Sequence, residues 1–261
     1  MKLTILGSGT VVPDGSRNSS GYFVETSSVR LMLDCGAGTV HALARYGLPW
    51  QALSHIFISH FHVDHVGELP ALMFAFRWGM NVGRREPLTI LGPEGLVRLI
   101  ERLDDALGPR LFTPGFPLDI KELRPGDSFE LSGDCCLTAA KTPHNEESLA
   151  VRVESAELAQ LPGSGRPTLC YTGDTEYSDG LAKFFHGADL LISECSYQEK
   201  RAGLRHLAVA DAARMAHRAQ ASRLIVTHFY FPVDEPAVEQ QLRSGFGGEI
   251  VIGRDGMTFE I

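Results

Sequence analysis

The sequence predicts an α+β fold in which two β-sheets pack against each other with helices on their outer faces. Short β-rich runs bounded by Gly, Pro or Asp fill the first part of the chain, and a second block of short strands fills the rest. The helical patterns are grouped between and after those blocks instead of alternating strictly with them, which favours a layered sandwich over a doubly wound sheet. In the first block, strands are predicted over residues 3–6, 21–25, 29–33 and 55–59. Leu69, Leu72, Met73 and Phe76 then recur at helical spacing and predict a helix over 68–78. Leu96, Leu99, Ile100, Leu103 and Leu107 do the same over 94–107, with Gly92-Pro93 opening that helix. The second block predicts strands over 118–123, 137–142, 149–153, 168–171 and 190–193, a helix over 208–218, and strands over 224–227, 250–252 and 257–261. Residues 161–167, rich in Gly and Pro, read as a surface turn, and residues 1–261 read as one domain.

Composition narrows the function. With 261 residues, 44% hydrophobic and 21% charged, the chain can bury a sizeable core, which excludes disordered and fibrous classes. No apolar run approaches the roughly 18 residues that cross a bilayer, so a membrane protein is not expected. The N-terminus has no positive region followed by a long apolar one, and the five cysteines form no Cys-x-x-Cys pair. Both features predict the reducing cytoplasm, with the cysteines as small buried hydrophobes. Lys and Arg total 24 against 32 for Asp and Glu, a formal charge of -8, so no bulk positive field draws in nucleic acid. A local strip such as Arg77, Arg84 and Arg85 is the basic surface left to compensate.

The informative segment is Ile58-Ser59-His60-Phe61-His62-Val63-Asp64-His65, directly after an apolar strand. In an extended loop His60 and His62 point the same way, so two imidazoles can grip one ion, while Asp64 and His65 face elsewhere. Imidazole with carboxylate favours Zn, Mn or Fe over the oxygen-preferring Ca or Mg. One loop offering ligands in two directions implies two metals, and His144, Asp174 and His228, each after an apolar run, offer the further ligands. His41, His55, His186 and His217 read as surface or packing residues, and Phe74, Phe76 and Trp78 as core or interface.

This set of residues resembles the metallo-β-lactamase superfamily, and within it the ribonuclease Z type of phosphodiesterase. The likeness runs through Gly7-Ser8-Gly9-Thr10, Leu33-Asp34-Cys35-Gly36, the His60–His65 loop, Thr142-Pro143-His144, Tyr171-Thr172-Gly173-Asp174-Thr175, Glu194, His206, Thr227-His228-Phe229 and Asp255-Gly256-Met257. It implies a four-layered αβ/βα sandwich with a dinuclear centre holding two divalent ions, Zn first, Mn or Fe otherwise. By the resemblance His60, His62 and His144 hold one ion, Asp64, His65 and His228 hold the other, and Asp174 bridges both. Two such ions generate a hydroxide near neutral pH and neutralise charge on a phosphoryl group. Asp64 then also accepts a proton from the nucleophile. His206, paired with Glu194 in the manner of the family, stabilises phosphoryl oxygens and protonates the leaving oxygen. Dimerisation through the region after the metal loop is a further expectation from the family.

The implied activity is phosphodiester hydrolysis on RNA 3′ ends or small nucleotide diesters. Members that mature tRNA carry a long protruding arm, and between His144 and Asp174 this chain has only strand, loop and strand. Ala37 stands where the family usually has Glu, and Tyr230-Phe231-Pro232 replaces the usual Ser and Arg-Tyr continuation. These departures favour the smaller substrates. The alternative keeps the fold and metals and changes the bond to a carboxylic ester, lactone, sulfate ester or β-lactam, against which Glu194 and His206 argue.

Overall fold

Period-two alternation along the strands sorts apolar side chains onto two faces, and both faces are buried. In β1 (Lys2–Gly7), Leu3 and Ile5 enter one core while Leu6 enters another. The computed structural model describes residues 1–79, 84–108, 111–156 and 165–261. Among these, one seven-stranded sheet runs β14 (Thr258–Glu260), β1, β2 (Gly21–Glu25), β3 (Arg30–Leu33), β4 (His55–Phe57), β5 (Leu88–Pro93), β6 (Leu118–Leu123). The other runs β13 (Glu249–Ile252), β12 (Arg223–Thr227), β11 (Leu190–Glu194), β10 (Thr168–Tyr171), β9 (Leu149–Ser155), β8 (Cys135–Lys141), β7 (Ser128–Ser132).

The central core lies between the sheets, where Leu3, Ile5 and Phe57 meet Leu137, Val151, Leu169, Ile192 and Ile225. Outside the first sheet lie α1 (Thr39–Arg45), α2 (Val63–Val66), α3 (Leu69–Trp78) and α4 (Leu96–Leu107), whose Leu69, Leu72, Met73, Phe76 and Ile100 pack on Met32, Ile56 and Ile90. Outside the second lie α5 (Asp179–Phe184), α6 (Val209–Arg218) and α7 (Glu235–Arg243), with Ala212, Ala213, Val238 and Leu242 against Leu191 and Leu224. The order helices, sheet, sheet, helices is the expected four-layered α+β sandwich. Each fully buried Leu or Phe contributes about 1.5–3 kcal/mol to holding these layers together.

Several elements depart from expectation. Gly92-Pro93 ends β5 instead of opening a helix, because the parallel pairing with β6 runs through Pro93. α4 therefore starts at Leu96, and Glu122 of β6 caps it by accepting from the Gly95 and Val97 N–H groups. The strand expected over 55–59 stops at Phe57 because Ser59 turns over the Asp34 carboxylate, and the terminal strand shortens to Thr258–Glu260. Phe76 is buried, whereas Phe74 and Trp78 are exposed with their rings 4.2 Å apart. Arg84 is no part of a basic strip: its guanidinium is buried and donates to the carbonyls of Gln51, Leu53, Glu86 and Pro87. Residues 161–164 of the expected surface turn lie outside the described residues. Cys35, Cys135, Cys170 and Cys195 are buried, and no described helix is long and apolar enough to cross a membrane.

Strand direction places the chemistry. β3 and β4 run parallel in one sheet and β10, β11 and β12 run parallel in the other, so the residues after their last positions emerge on one edge. The Ser59 carbonyl accepts from Leu149 N–H, the Ser8 carbonyl accepts from His228 N–H, and Tyr171 Oη donates to Asp34, joining the two sheets at that edge.

Candidate active site

His60 follows β4 by three residues and His62 ends the extended part of the loop, so their side chains come together as alternation demands, with His62 Nδ1 3.0 Å from His60 Nε2. From Val63 the loop is the single helical turn α2, which was not expected; that turn, rather than continued extension, carries Asp64 and His65 to the other side. His144 follows β8, Asp174 follows β10, Glu194 ends β11 and His228 follows β12. The structure brings all of the expected residues together. His60, His62, His144 and Asp174 form one group and Asp64, His65 and His228 a second, each with its ligand atoms within 4.8 Å of one another. Asp174 stands between them, with Oδ2 3.6 Å from His60 Nε2 and 3.7 Å from His144 Nε2, and Oδ1 3.3 Å from His65 Nε2 and 3.5 Å from His228 Nε2. Asp64 Oδ2 lies 3.3 Å from His228 Nε2.

The outer nitrogens of these imidazoles settle which tautomer faces inward. Ser59 Oγ donates to Asp34 and therefore accepts from His60 Nδ1–H at 3.0 Å. Ser196 Oγ donates to Glu194 Oε2 and accepts from His228 Nδ1–H at 3.0 Å. His65 Nδ1–H donates to Asp34 Oδ2 at 2.7 Å, and His144 Nδ1–H to the Arg205 carbonyl at 2.8 Å. The Nε2 atoms of His60 and His144 thus face one ligand group, and those of His65 and His228 the other. Among the described residues, Asp64 Oδ2 and Asp174 Oδ1 are buried polar atoms without a hydrogen-bond partner. Inward-facing Nε2 atoms and orphaned carboxylate oxygens at nearly zero exposure are costly unless cations sit among them, so this donor set fits divalent metal ions.

Burial, reinforced by His65, His144 and His62, outweighs Asp174 and holds His60 well below the ordinary imidazole range. Burial opposes the Asp174 carboxylate, yet His228, His65 and His60 outweigh it and hold Asp174 well below the usual carboxylate range. Burial opposes a charge on His65, yet Asp174 and Asp34 outweigh it and raise that imidazole well above its ordinary range, so the carboxylates draw positive charge into the cluster.

His206 lies beside the cluster, its Nδ1 3.0 Å from Glu194 Oε1 and 3.8 Å from Asp174 Oδ2. Burial lowers its proton affinity, but the bond to Glu194 and the charges of Glu194 and Asp174 raise it above the ordinary value. Glu194 is fixed in turn, accepting from Thr175 N–H, Ser196 Oγ and Leu207 N–H.

Three contributors escaped the sequence reading as site residues. Asp34 is fully buried, adopts φ 57 and collects bonds from Ser59 N–H, Ser59 Oγ, His65 and Tyr171. Its signal was a carboxylate directly after an apolar strand. Ser196 links Glu194, His206 and His228, and nothing in its surroundings marked it. Tyr230 places its ring 5.5 Å from His228 and 5.9 Å from His206. His228 itself adopts φ 64, a left-handed backbone that costs a residue with a Cβ about 1–3 kcal/mol and turns its ring back over the cluster.

Residues 1–246 match the family model described as anti-Pycsar protein Apyc1. Ribonuclease Z of Halobacterium salinarum is 31% identical over 307 residues, covering 100% of this chain and 97% of that one. Probable metallo-hydrolase YhfI of Bacillus subtilis is 28% identical over 266 residues, covering all of both chains. The YhfI crystal structure superimposes with TM-score 0.82 at 27% identity over 99% of this chain and 98% of that one. Human tRNase Z, short form, does so with TM-score 0.79 at 26% identity over 100% and 99%.

Proposed function

Because the chain belongs to the anti-Pycsar protein Apyc1 family, on the ribonuclease Z-like branch of the metallo-β-lactamase superfamily, we propose that this metal-dependent phosphodiester hydrolase acts on small nucleotide diesters. The observation that carries the reading is the paired cluster bridged by Asp174, with a His206–Glu194 dyad beside it. In this reading His60, His62 and His144 hold one ion, Asp64, His65 and His228 the second, and Asp174 reaches both. Two divalent ions there supply a hydroxide near neutral pH and neutralise charge on the phosphoryl group.

The chain's own residues supply the rest. Asp64, with one carboxylate oxygen unpartnered, accepts the nucleophile's proton. His206 gives Nδ1–H to Glu194, which leaves Nε2–H as the acid that protonates the leaving oxygen. The charge of His206 and the burial of the cluster strengthen the attraction for phosphoryl oxygens as negative charge builds. The dyad sets a proton donor and a positive charge beside the cluster, where a phosphoryl group would present its leaving oxygen and its anionic oxygens, which supports the phosphodiester over the other bonds.

Size supports the small substrate. The alignment with the Halobacterium ribonuclease Z spans 307 residues against 261 here, whereas that with YhfI spans 266, so the ribonuclease Z carries segments this chain lacks. Residues 156–167 alone connect β9 to β10, too few for a tRNA-gripping arm. The same reading takes zinc as the metal, residues 1–261 as one hydrolase domain, the cytoplasm as the compartment and a homodimer as the working form. The His-rich donor set, the ligands drawn from both sheets, the buried cysteines, and exposed Phe74 and Trp78 on the helix after the metal loop support it.

The test is hydrolysis of bis(p-nitrophenyl) phosphate beside a tRNA precursor with a 3′ trailer, by metal-loaded wild type and His206→Ala. The small diester should turn over, and kcat should fall in the variant, by less than the roughly 10²–10⁴-fold expected for an alkoxide leaving group because p-nitrophenolate departs with little need of a proton. Preferential cleavage of the trailer would overturn the small-substrate assignment.

A further inference from the structure

A diester with its phosphoryl group at the cluster must send its two substituents somewhere, and one wall beside the cluster is aromatic. Tyr230 is half-buried, and besides facing His228 and His206 it lies 6.0 Å from the nearly parallel ring of Tyr197. Tyr230 also lines a cavity of about 280 Å³, together with Thr10, Val12, Arg17, Phe229 and Phe231. A second cavity of about 410 Å³ continues along the same wall, sharing Arg17, Phe229 and Phe231. Val12 stands 53% exposed at the rim, an apolar side chain with no packing reason to be there.

The wall is rigid. Arg17 lies over the Phe229 ring at 5.1 Å and donates to Ser8 Oγ at 2.8 Å and the Gly253 carbonyl at 2.5 Å, while Asp255 accepts from Ser8 and Asn18 and pins the same loop. A fixed aromatic and apolar surface of this kind loses little freedom when a planar group settles on it. A volume near 300 Å³ is the lower end for a small-molecule site. It admits one base with its sugar.

We infer that this groove is the nucleoside subsite: the diester lies with its phosphoryl group at the cluster and its base across Tyr230, against Val12 and Phe231. The inference rests on the diesterase reading above and adds the part of the substrate that it leaves undefined. Every base has a π-face, so a stacking wall binds nucleosides as a class, with modest preference among bases.

Two diesters with the same leaving group separate the subsite from the chemistry: thymidine 5′-(p-nitrophenyl) phosphate and methyl p-nitrophenyl phosphate. With metal-loaded wild type, kcat/KM for the thymidine diester should exceed that for the methyl diester by roughly tenfold or more, through KM. Tyr230→Ala and Val12→Trp should each reduce that ratio roughly tenfold, and Tyr230→Phe, which keeps the ring, should preserve it. Val12 is exposed, so Val12→Trp fills the groove without disturbing the core. Calorimetric binding of thymidine methylphosphonate should weaken in the same two variants by a similar factor, a readout independent of turnover. An unchanged ratio and unchanged binding in both variants would overturn the subsite while the diesterase reading stands. Failure of wild type to hydrolyse either diester would overturn the diesterase reading, with the binding measurement still judging the groove.

Discussion

At the scale of single residues, the imidazoles of the cluster are aimed by side chains that lie behind them. His60, His62, Asp64 and His65 crowd one loop, but Asp34 and Ser196 matter because of partners far along the chain, His65 and Tyr171 for one, Glu194 and His228 for the other. Asp34→Ala should therefore weaken metal affinity about 10–100-fold, checked by metal content after dialysis against a weak chelator, because His65 and Ser59 lose the carboxylate that aims them. Metal content equal to wild type would show that Asp34 only packs. His55, read from the sequence as a packing residue, is buried on β4, and burial pushes its imidazole down to about 4. The unfolded chain binds that proton near pH 6.5 and the folded chain refuses it until about 4, so stability is full above about 6.5 and falls as pH drops toward 4. His55→Gln should lessen this acid-side loss by about 3 kcal/mol in denaturant titrations across that window. Parallel stability curves for the two proteins would contradict it.

At the scale of elements, long periodic segments were legible and short or interrupted ones were not. The apolar spacing of Leu69, Leu72, Met73 and Phe76 marks α3 whatever its surroundings, whereas α1, α5 and α7 run 7, 6 and 9 residues and are held by packing rather than by their own pattern. β7 is a five-residue edge strand whose alternation rests on Phe129 and Leu131 alone, too short a run to mark it, and β5 hides behind a Gly-Pro pair that usually breaks structure. The metal loop was misread in one respect because a single turn of helix has too few residues to show a period. Its position depends on a close approach: a Cβ on Gly36 would fall 2.1 Å from the Asp64 carbonyl oxygen. Cys35 N–H also donates to the His65 carbonyl, so the two loops are locked backbone to backbone. Gly36→Ala should push them apart, lowering the thermal midpoint by several degrees, with ~1–3 kcal/mol lost to overpacking, and lowering metal occupancy with it. A variant with wild-type midpoint and full metal content would show that the loops tolerate separation.

At the scale of the whole molecule, the two-sheet sandwich was legible because blocks of strands and grouped helices permit few other layer orders, and the pairing of sheet edges that creates the site was not, since it joins residues such as Ser8 and His228 across most of the chain. The charge of -8 belongs to this scale too, because a chain without a basic field cannot rely on many phosphate contacts. Hydrolysis of a small diester should change less than about twofold in kcat/KM between about 50 and 200 mM salt, where a binder making six or more phosphate contacts loses on the order of 10³-fold or more in affinity. A steep salt dependence would point to a polyanionic substrate instead. The most direct measurement is titration of metal-stripped protein with Zn or Mn while following small-diester turnover. Turnover should be absent in the stripped protein and rise to a plateau at two equivalents per chain. A plateau at one equivalent, or turnover that survives stripping, would contradict a dinuclear site bridged by Asp174.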